Sequence, residues 1–127
     1  MRRCSIPFAV LRASPFDLPW GSSIFARVSA TNIMGLSLTS SVGNGAMITR
    51  VPDPPVNLIV DASISNAVTI KILWDNGPES GGVPVLDYRV WYDQGKGVYM
   101  ILDYQIVNTV YQTEVPLTAG TNYRFKV

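Results

Sequence analysis

The stretch Val68-Thr-Ile-Lys-Ile-Leu-Trp74, the loop Asp75-Asn-Gly-Pro-Glu-Ser-Gly-Gly-Val-Pro-Val85, and Leu86-Asp-Tyr-Arg-Val-Trp-Tyr92 together decide the fold. Side chains alternate between the two faces of an extended chain, so Val68, Ile70, Ile72 and Trp74 share one side. Leu86, Tyr88, Val90 and Tyr92 do the same after the loop, with Asp87, Arg89 and Asp93 turned to water. Two half-buried strands joined by a polar Gly/Pro loop predict a sheet with one dry face. Nothing in the stretch groups acids, bases or nucleophiles in the way catalysis requires.

Composition narrows the field further. An apolar fraction of 47% supplies a core, and 15% charged residues is too few for a disordered chain. The ten basic residues are spread along the chain apart from a small group at the start, so no basic stripe marks a nucleic-acid partner. The chain has no histidine, which removes Ser-His-Asp and Cys-His nucleophile systems and every His-ligated metal site. The single cysteine, Cys4, cannot close a disulfide within the chain. No apolar run is long enough to span a bilayer as a helix. The opening Met1-Arg2-Arg3, followed by apolar residues, imitates a signal peptide. That run is short, contains Pro7 and is closed by Arg12, so Ser5–Leu11 reads as a strand. No N-x-S/T glycosylation acceptor occurs.

In order along the chain, a turn-rich passage around Pro15–Gly21 precedes a second strand. Ile24, Ala26, Val28 and Ala30 give it a small-residue dry face. Asn32-Ile33-Met34-Gly35 reads as a turn and Leu36–Val42 as a third strand, broken or bulged at Gly43-Asn44-Gly45. Val51-Pro52-Asp53-Pro54-Pro55 can be neither helix nor central strand, because its prolines fix φ and remove donors. It is the linker candidate. Pro52-x-x-Pro55 also fits the proline pattern that SH3 domains bind, but short proline linkers are far commoner.

Beyond the linker, Val56, Leu58 and Val60 alternate into a strand, and Asp61–Ala67 turns into the decisive stretch. Asp93–Gly97 is a hairpin turn leading to Val98–Leu102. Val107–Val115 and Asn122–Val127 follow as strands, the last with Tyr123, Phe125 and Val127 on one face. No apolar period of 3.6 is found, which predicts an all-β chain.

An internal repeat explains the boundaries. Leu18 matches Leu117, Gly21 matches Gly120, Ile24 matches Tyr123 and Val28 matches Val127, each pair 99 positions apart. That period fits one β-sandwich domain of about 100 residues, not a solenoid unit. Pro54-Pro55, Ile72-x-Trp74, Gly81-Gly82-x-Pro84, Tyr88-x-Val90-x-Tyr92 and Leu117-x-x-Gly120-Thr121-x-Tyr123-x-Phe125-x-Val127 together resemble a fibronectin type III domain. The resemblance covers residues 52–127, from strand A to strand F. Residues 4–48 resemble strands E, F and G of a preceding copy, including Ala30-x-Asn32-x-x-Gly35.

The resemblance implies an immunoglobulin-like antiparallel β-sandwich in two incomplete tandem copies, residues 1–50 and 51–127. Two positions depart from it. Ile24 stands where the first copy would carry its corner tyrosine, and Val127 comes before the second copy's strand G. On that reading the isolated fragment leaves an open strand edge and is expected to form strand-swapped homodimers or aggregates.

Candidate chemical roles compete with structural ones. Trp74, in register with Ile70 and Ile72, is expected as a core anchor rather than a stacking platform. Tyr123 is expected to close the tyrosine corner, with its hydroxyl bonded to backbone a few residues upstream. Asp75, Glu79 and Asp87 lie near one loop, but calcium needs six to eight oxygens and here Gly, Pro and Ser dilute the acids. Gly81-Gly82 has no following helix and so is no phosphate cradle. Trp91 should face outward, either covered by a neighbouring charged stem or part of a contact patch. The Arg-Gly-Asp tripeptide that integrins bind in some family members is absent.

No catalytic, cofactor-binding or metal-binding residues are therefore assigned, and no cofactor, nucleic-acid partner or membrane insertion is expected. The leading expectation is a non-enzymatic module of a larger multidomain protein, acting as spacer and protein-interaction domain with an unspecified protein partner. The resemblance favours an extracellular or cell-surface setting. One alternative is an accessory domain of an enzyme or receptor, such as a glycoside hydrolase or receptor kinase, with its catalytic part elsewhere. Another is a receptor segment with its ligand site at the elbow between the copies.

Overall fold

A computed structural model describes residues 3–127, apart from the Asn44 side chain. Met1 and Arg2, which open the leader-like run, lie outside the described residues. The chain divides into two compact units, Met1–Val51 with Gly81–Val83, and Pro52–Ser80 with Pro84–Val127.

The second unit is an immunoglobulin-like β-sandwich built on the decisive stretch. Strands β5 (Val56–Val60), β6 (Lys71–Asp75) and β9 (Val110–Gln112) form one antiparallel sheet in the order β5-β6-β9. Strands β7 (Tyr88–Tyr92), β8 (Met100–Ile106) and β10 (Phe125–Lys126) form the other, in the order β10-β7-β8. The core draws on both: Ile72 and Trp74 from β6 and Tyr111 from β9 meet Val90 from β7. Trp74 is 3% exposed and takes the ring of Tyr88 edge-on at 5.4 Å between centroids. Tyr123, Phe125 and Val127 are all half-buried, while the intervening Arg124 and Lys126 are exposed, as alternation predicts.

Alternation fails where the ladders slip. Val56 pairs with Asp75 but Ile59 with Leu73, so β5 carries an extra residue, and Asn57 adopts φ 54° there. The bulge puts apolar residues on both sides of an edge strand, and Val56, Leu58, Ile59 and Val60 are exposed instead of half-dry. Val68 and Leu86, expected on the dry faces, precede the strands proper and are exposed. The expected strand over 107–115 shrinks to Val110–Gln112.

Asp93 departs most. It was expected in water, yet it is 3% exposed, because the ladder ends at Tyr92 and the chain turns its carboxylate onto backbone. The Asp93 carboxylate accepts the amide N–H groups of Gly95 and Arg124, each at 3.0 Å, which compensates its burial. One glycine is required here by close approach. A Cβ on Gly77 would lie 2.5 Å from the Asp53 carbonyl oxygen.

The first unit pairs β1 (Ser23–Ala26) with β4 (Gly43–Met47), and β2 (Thr31–Asn32) with β3 (Gly35–Leu36) around the expected Ile33-Met34 turn. Ile24 pairs with Ala46 and Phe25 with Asn44, leaving Gly45 as the extra residue of a bulge. The predicted dry face is not formed. Ile24 is half-buried, but Ala26, Val28 and Ala30 are exposed. The predicted third strand, Leu36–Val42, is limited to Gly35–Leu36, and the glycine-rich segment expected to break or bulge it opens a separate strand, β4, with the bulge at Gly45.

Ser5–Leu11 is not a strand either. Phe8–Arg12 forms the short helix α1, with Pro7 at its N-cap. Pro7 has φ −62°, its fixed value suits the residue before a first turn, and a five-residue run is too short to display a helical period. Only Leu11 of α1 is buried.

Two of the matched positions share local geometry. Gly21 and Gly120 both have positive φ, 88° and 76°. The Leu18 amide donates to the Leu11 carbonyl and the Leu117 amide to the Val68 carbonyl, both at 3.0 Å. Each unit thus ties its leucine back to an earlier segment and turns at its glycine.

Candidate functional site

Chemistry-bearing residues in the second unit are used structurally. The Thr118 amide donates to the Tyr123 hydroxyl at 3.0 Å, five residues upstream, which closes the corner predicted from sequence. That donor favours the phenolate and lowers the Tyr123 pKa from its ordinary value. Tyr92 stacks on Tyr123 at 6.3 Å. Asp93 is likewise held below the usual carboxylate range, first by the Arg124 amide and then by that of Gly95, against the opposing effect of burial. Asp61 is lowered by the Ser63 hydroxyl and by Lys71, whose ammonium lies 3.1 Å away. Burial pushes the Tyr111 hydroxyl up, with the Asp103 charge adding to it.

The candidate cation ligands stay apart. Asp75 accepts the side-chain amide of Asn57 at 2.9 Å, and among the described residues no three His, Cys, Asp or Glu side chains converge. No helix follows Gly81-Gly82 among the described residues. The proline segment is held in place: the Asp53 amide donates to the Glu79 carbonyl at 2.9 Å, and Pro55 is half-buried. Pro52, Pro55, Asp87, Tyr88, Trp91 and Val127 are among the residues lining a groove of ≈ 240 Å³ in this unit.

The outward face of the β10-β7-β8 sheet gathers the remaining surface chemistry. Val90 is fully buried, so its neighbours Arg89 and Trp91 point away from the core. Trp91 is half-buried and pairs with Ile101 on one side and Lys126 on the other. The Arg89 guanidinium lies 5.8 Å from the Trp91 ring centroid, and the Lys126 ammonium 3.9 Å from that of Tyr99. Sequence reasoning placed Trp91 outward and allowed it a covering charged stem; Arg89 is that stem. It missed Tyr99, Ile101 and Lys126, which reach Trp91 only through strand register. The spacing Arg89-x-Trp91 and the alternate cations Arg124 and Lys126 were the available signals.

No family model matches the chain. Among solved structures, one described as domains A168–A170 from titin matches with a TM-score of 0.58 at 21% identity, over 81% of this chain and 33% of that one. Another, described as titin kinase and its flanking domains, matches with a TM-score of 0.51 at 22% identity, over 59% of this chain and 13% of that one. The chain therefore spans a third or less of the structures it resembles, and at such identities the likeness establishes the immunoglobulin-like β-sandwich fold.

Proposed function

We propose that the chain is a piece of a multidomain protein, comprising parts of two tandem fibronectin type III modules, residues 1–50 and 51–127, that act as spacer and protein-interaction domains without catalysing a reaction. The observation that carries the reading is the placement of β8. It pairs with β7, leaving β5-β6-β9 three-stranded, whereas constant-type immunoglobulin domains put four strands in the corresponding sheet. The tryptophan supports it. Immunoglobulin domains bury one on the third strand, against a disulfide. Here the buried tryptophan is Trp74 on β6, the second strand of the unit, and Cys4 is the sole cysteine.

The spacer role follows from the repeat, since successive sandwiches about 100 residues apart build a chain of domains with loops free at their poles. Family resemblance favours an extracellular or cell-surface setting.

A second reading has one observation in its favour. A matched structure is described as a kinase with its flanking domains, so domains of this fold also occur beside catalytic ones. On that reading the chain is an accessory part of an enzyme whose active domain lies elsewhere in the polypeptide. Sequencing the transcript on both sides separates the two. Further copies carrying the leucine-glycine-tyrosine corner at intervals of about 100 residues support the spacer. An adjoining catalytic domain moves the assignment to the second reading, and flanking sequence of neither kind overturns both.

A further inference from the structure

We propose that the outward face of the β10-β7-β8 sheet docks an acidic segment of a partner protein, with Trp91 and Arg89 at the centre of the contact. The proposal rests on the interaction-module reading and adds where the module binds and what chemistry it selects. Trp91, Tyr99 and Arg89 belong to the residue types that dominate binding energy at protein interfaces, and Ile101 extends their apolar surface. All four share one side of the sheet with Lys126.

The net charge on this side is positive, with Arg89, Arg124 and Lys126 set against Asp87. Among the described residues, neither Arg89 nor Lys126 has a carboxylate within ion-pair distance, and Arg124 is exposed nearby. Of the acids close by, Asp87, exposed and lining one groove with Arg89 and Trp91, is the carboxylate that stays on this side, and the other two are committed elsewhere. Asp93 gives its carboxylate to the Gly95 and Arg124 amides, and Asp103 pairs with the buried Val90, so it belongs to the opposite side of the sheet. Cations without carboxylate partners around an aromatic centre complement a carboxylate-bearing ligand. Resting over Trp91 and Tyr99, the arginine and lysine stems are already restricted, so less side-chain entropy is lost on docking. A sulfated polysaccharide is the weaker candidate, because it calls for a stripe of cations, and here aromatic and aliphatic side chains occupy the centre.

The test selects short random displayed peptides on the intact chain, with heparin as a second probe. Peptides rich in Asp and Glu around an apolar residue should emerge. Their affinity should fall about tenfold or more on Arg89→Glu or Lys126→Glu, and on raising the salt, while Arg27→Glu leaves it unchanged. Circular dichroism and the thermal midpoint confirm that each variant folds. Trp91→Phe, which keeps an apolar ring, should weaken binding less than Arg89→Glu. Selection of neutral or basic peptides, of no peptides, or of acidic peptides indifferent to Arg89→Glu overturns the proposal. So does retention of heparin alone, which would make the face a polyanion site. None of these results bears on the flanking sequence, so the module reading stands or falls separately.

Discussion

Trp74 and Asp93 show how differently two buried side chains hold one unit. Trp74 contributes area: its ring lies between the two sheets against Val90, Ile72 and Tyr111. Trp74→Ala is expected to cost about 3–5 kcal/mol in a denaturant titration, the range for deleting a large buried aromatic. A loss well under that would mean that the neighbours close over the cavity or that Trp74 is not central. Asp93 contributes charge and geometry, joining the 93–97 turn to the residue that leads into β10 through two amides. Its pKa is depressed in the folded state, so its stabilisation is complete above the ordinary carboxylate range. It is lost as pH falls through the depressed folded value, because the unfolded chain takes up the proton first. Asp93→Asn keeps an oxygen for the amides but removes the charge. The gap in thermal midpoint between the parent and Asp93→Asn should therefore be widest near neutral pH and close on acidification. A gap that does not change with pH would show that the charge is immaterial.

At the scale of elements, the strands that sequence made legible are those that alternate without interruption. β6 and β7 fall where Ile72, Trp74, Val90 and Tyr92 place them, and the corner at Tyr123 could be read from Leu117, Gly120 and Tyr123 alone. A break or bulge at Gly43-Asn44-Gly45 was signalled by its glycines, but the bulges of β5 and β8 were hidden, because an extra residue in a ladder is a relation between two strands and neither strand announces it. Leu102, extra between Trp91–Ile101 and Val90–Asp103, is one case, and Asn57 with positive φ marks another. The same limit applied to the candidate interaction face. Trp91 was legible, but Tyr99 and Lys126 join it only through register with β8 and β10. In the first unit the small-residue run from Ile24 to Ala30 alternates, yet it pairs too briefly to bury what it carries. Elements also meet through backbone. Gly77 lies against the Asp53 and Pro54 carbonyls, so Gly77→Ala should cost about 1–3 kcal/mol by overpacking rather than stabilise through lost chain entropy. An unchanged denaturation midpoint would mean that the proline segment moves freely to make room.

Across the whole molecule, the sheet edges of the second unit are not equally protected. β5 is kinked by its bulge and β8 by two register shifts. β10 pairs with β7 on one side and has no strand on the other among the described residues. It is two residues long and pairs without a register shift, and its half-buried Phe125 lies beside that open edge. A polypeptide of residues 1–127 is therefore expected to self-associate by strand exchange, with light scattering after size exclusion showing dimers or larger species. A monodisperse, cooperatively melting monomer would show that the β10 edge is closed in solution. The three tryptophans have an optical consequence. Trp20 belongs to the first unit, where the Arg12 guanidinium lies 4.1 Å from its ring centroid, whereas Trp74 and Trp91 belong to the second. Trp74, sealed in a dry core, should emit at shorter wavelength and resist a collisional quencher that reaches half-buried Trp20 and Trp91. The colour of the emission thus follows the melting of the second sandwich, while the quenchable remainder, in a Trp91→Phe background, follows the first unit on its own.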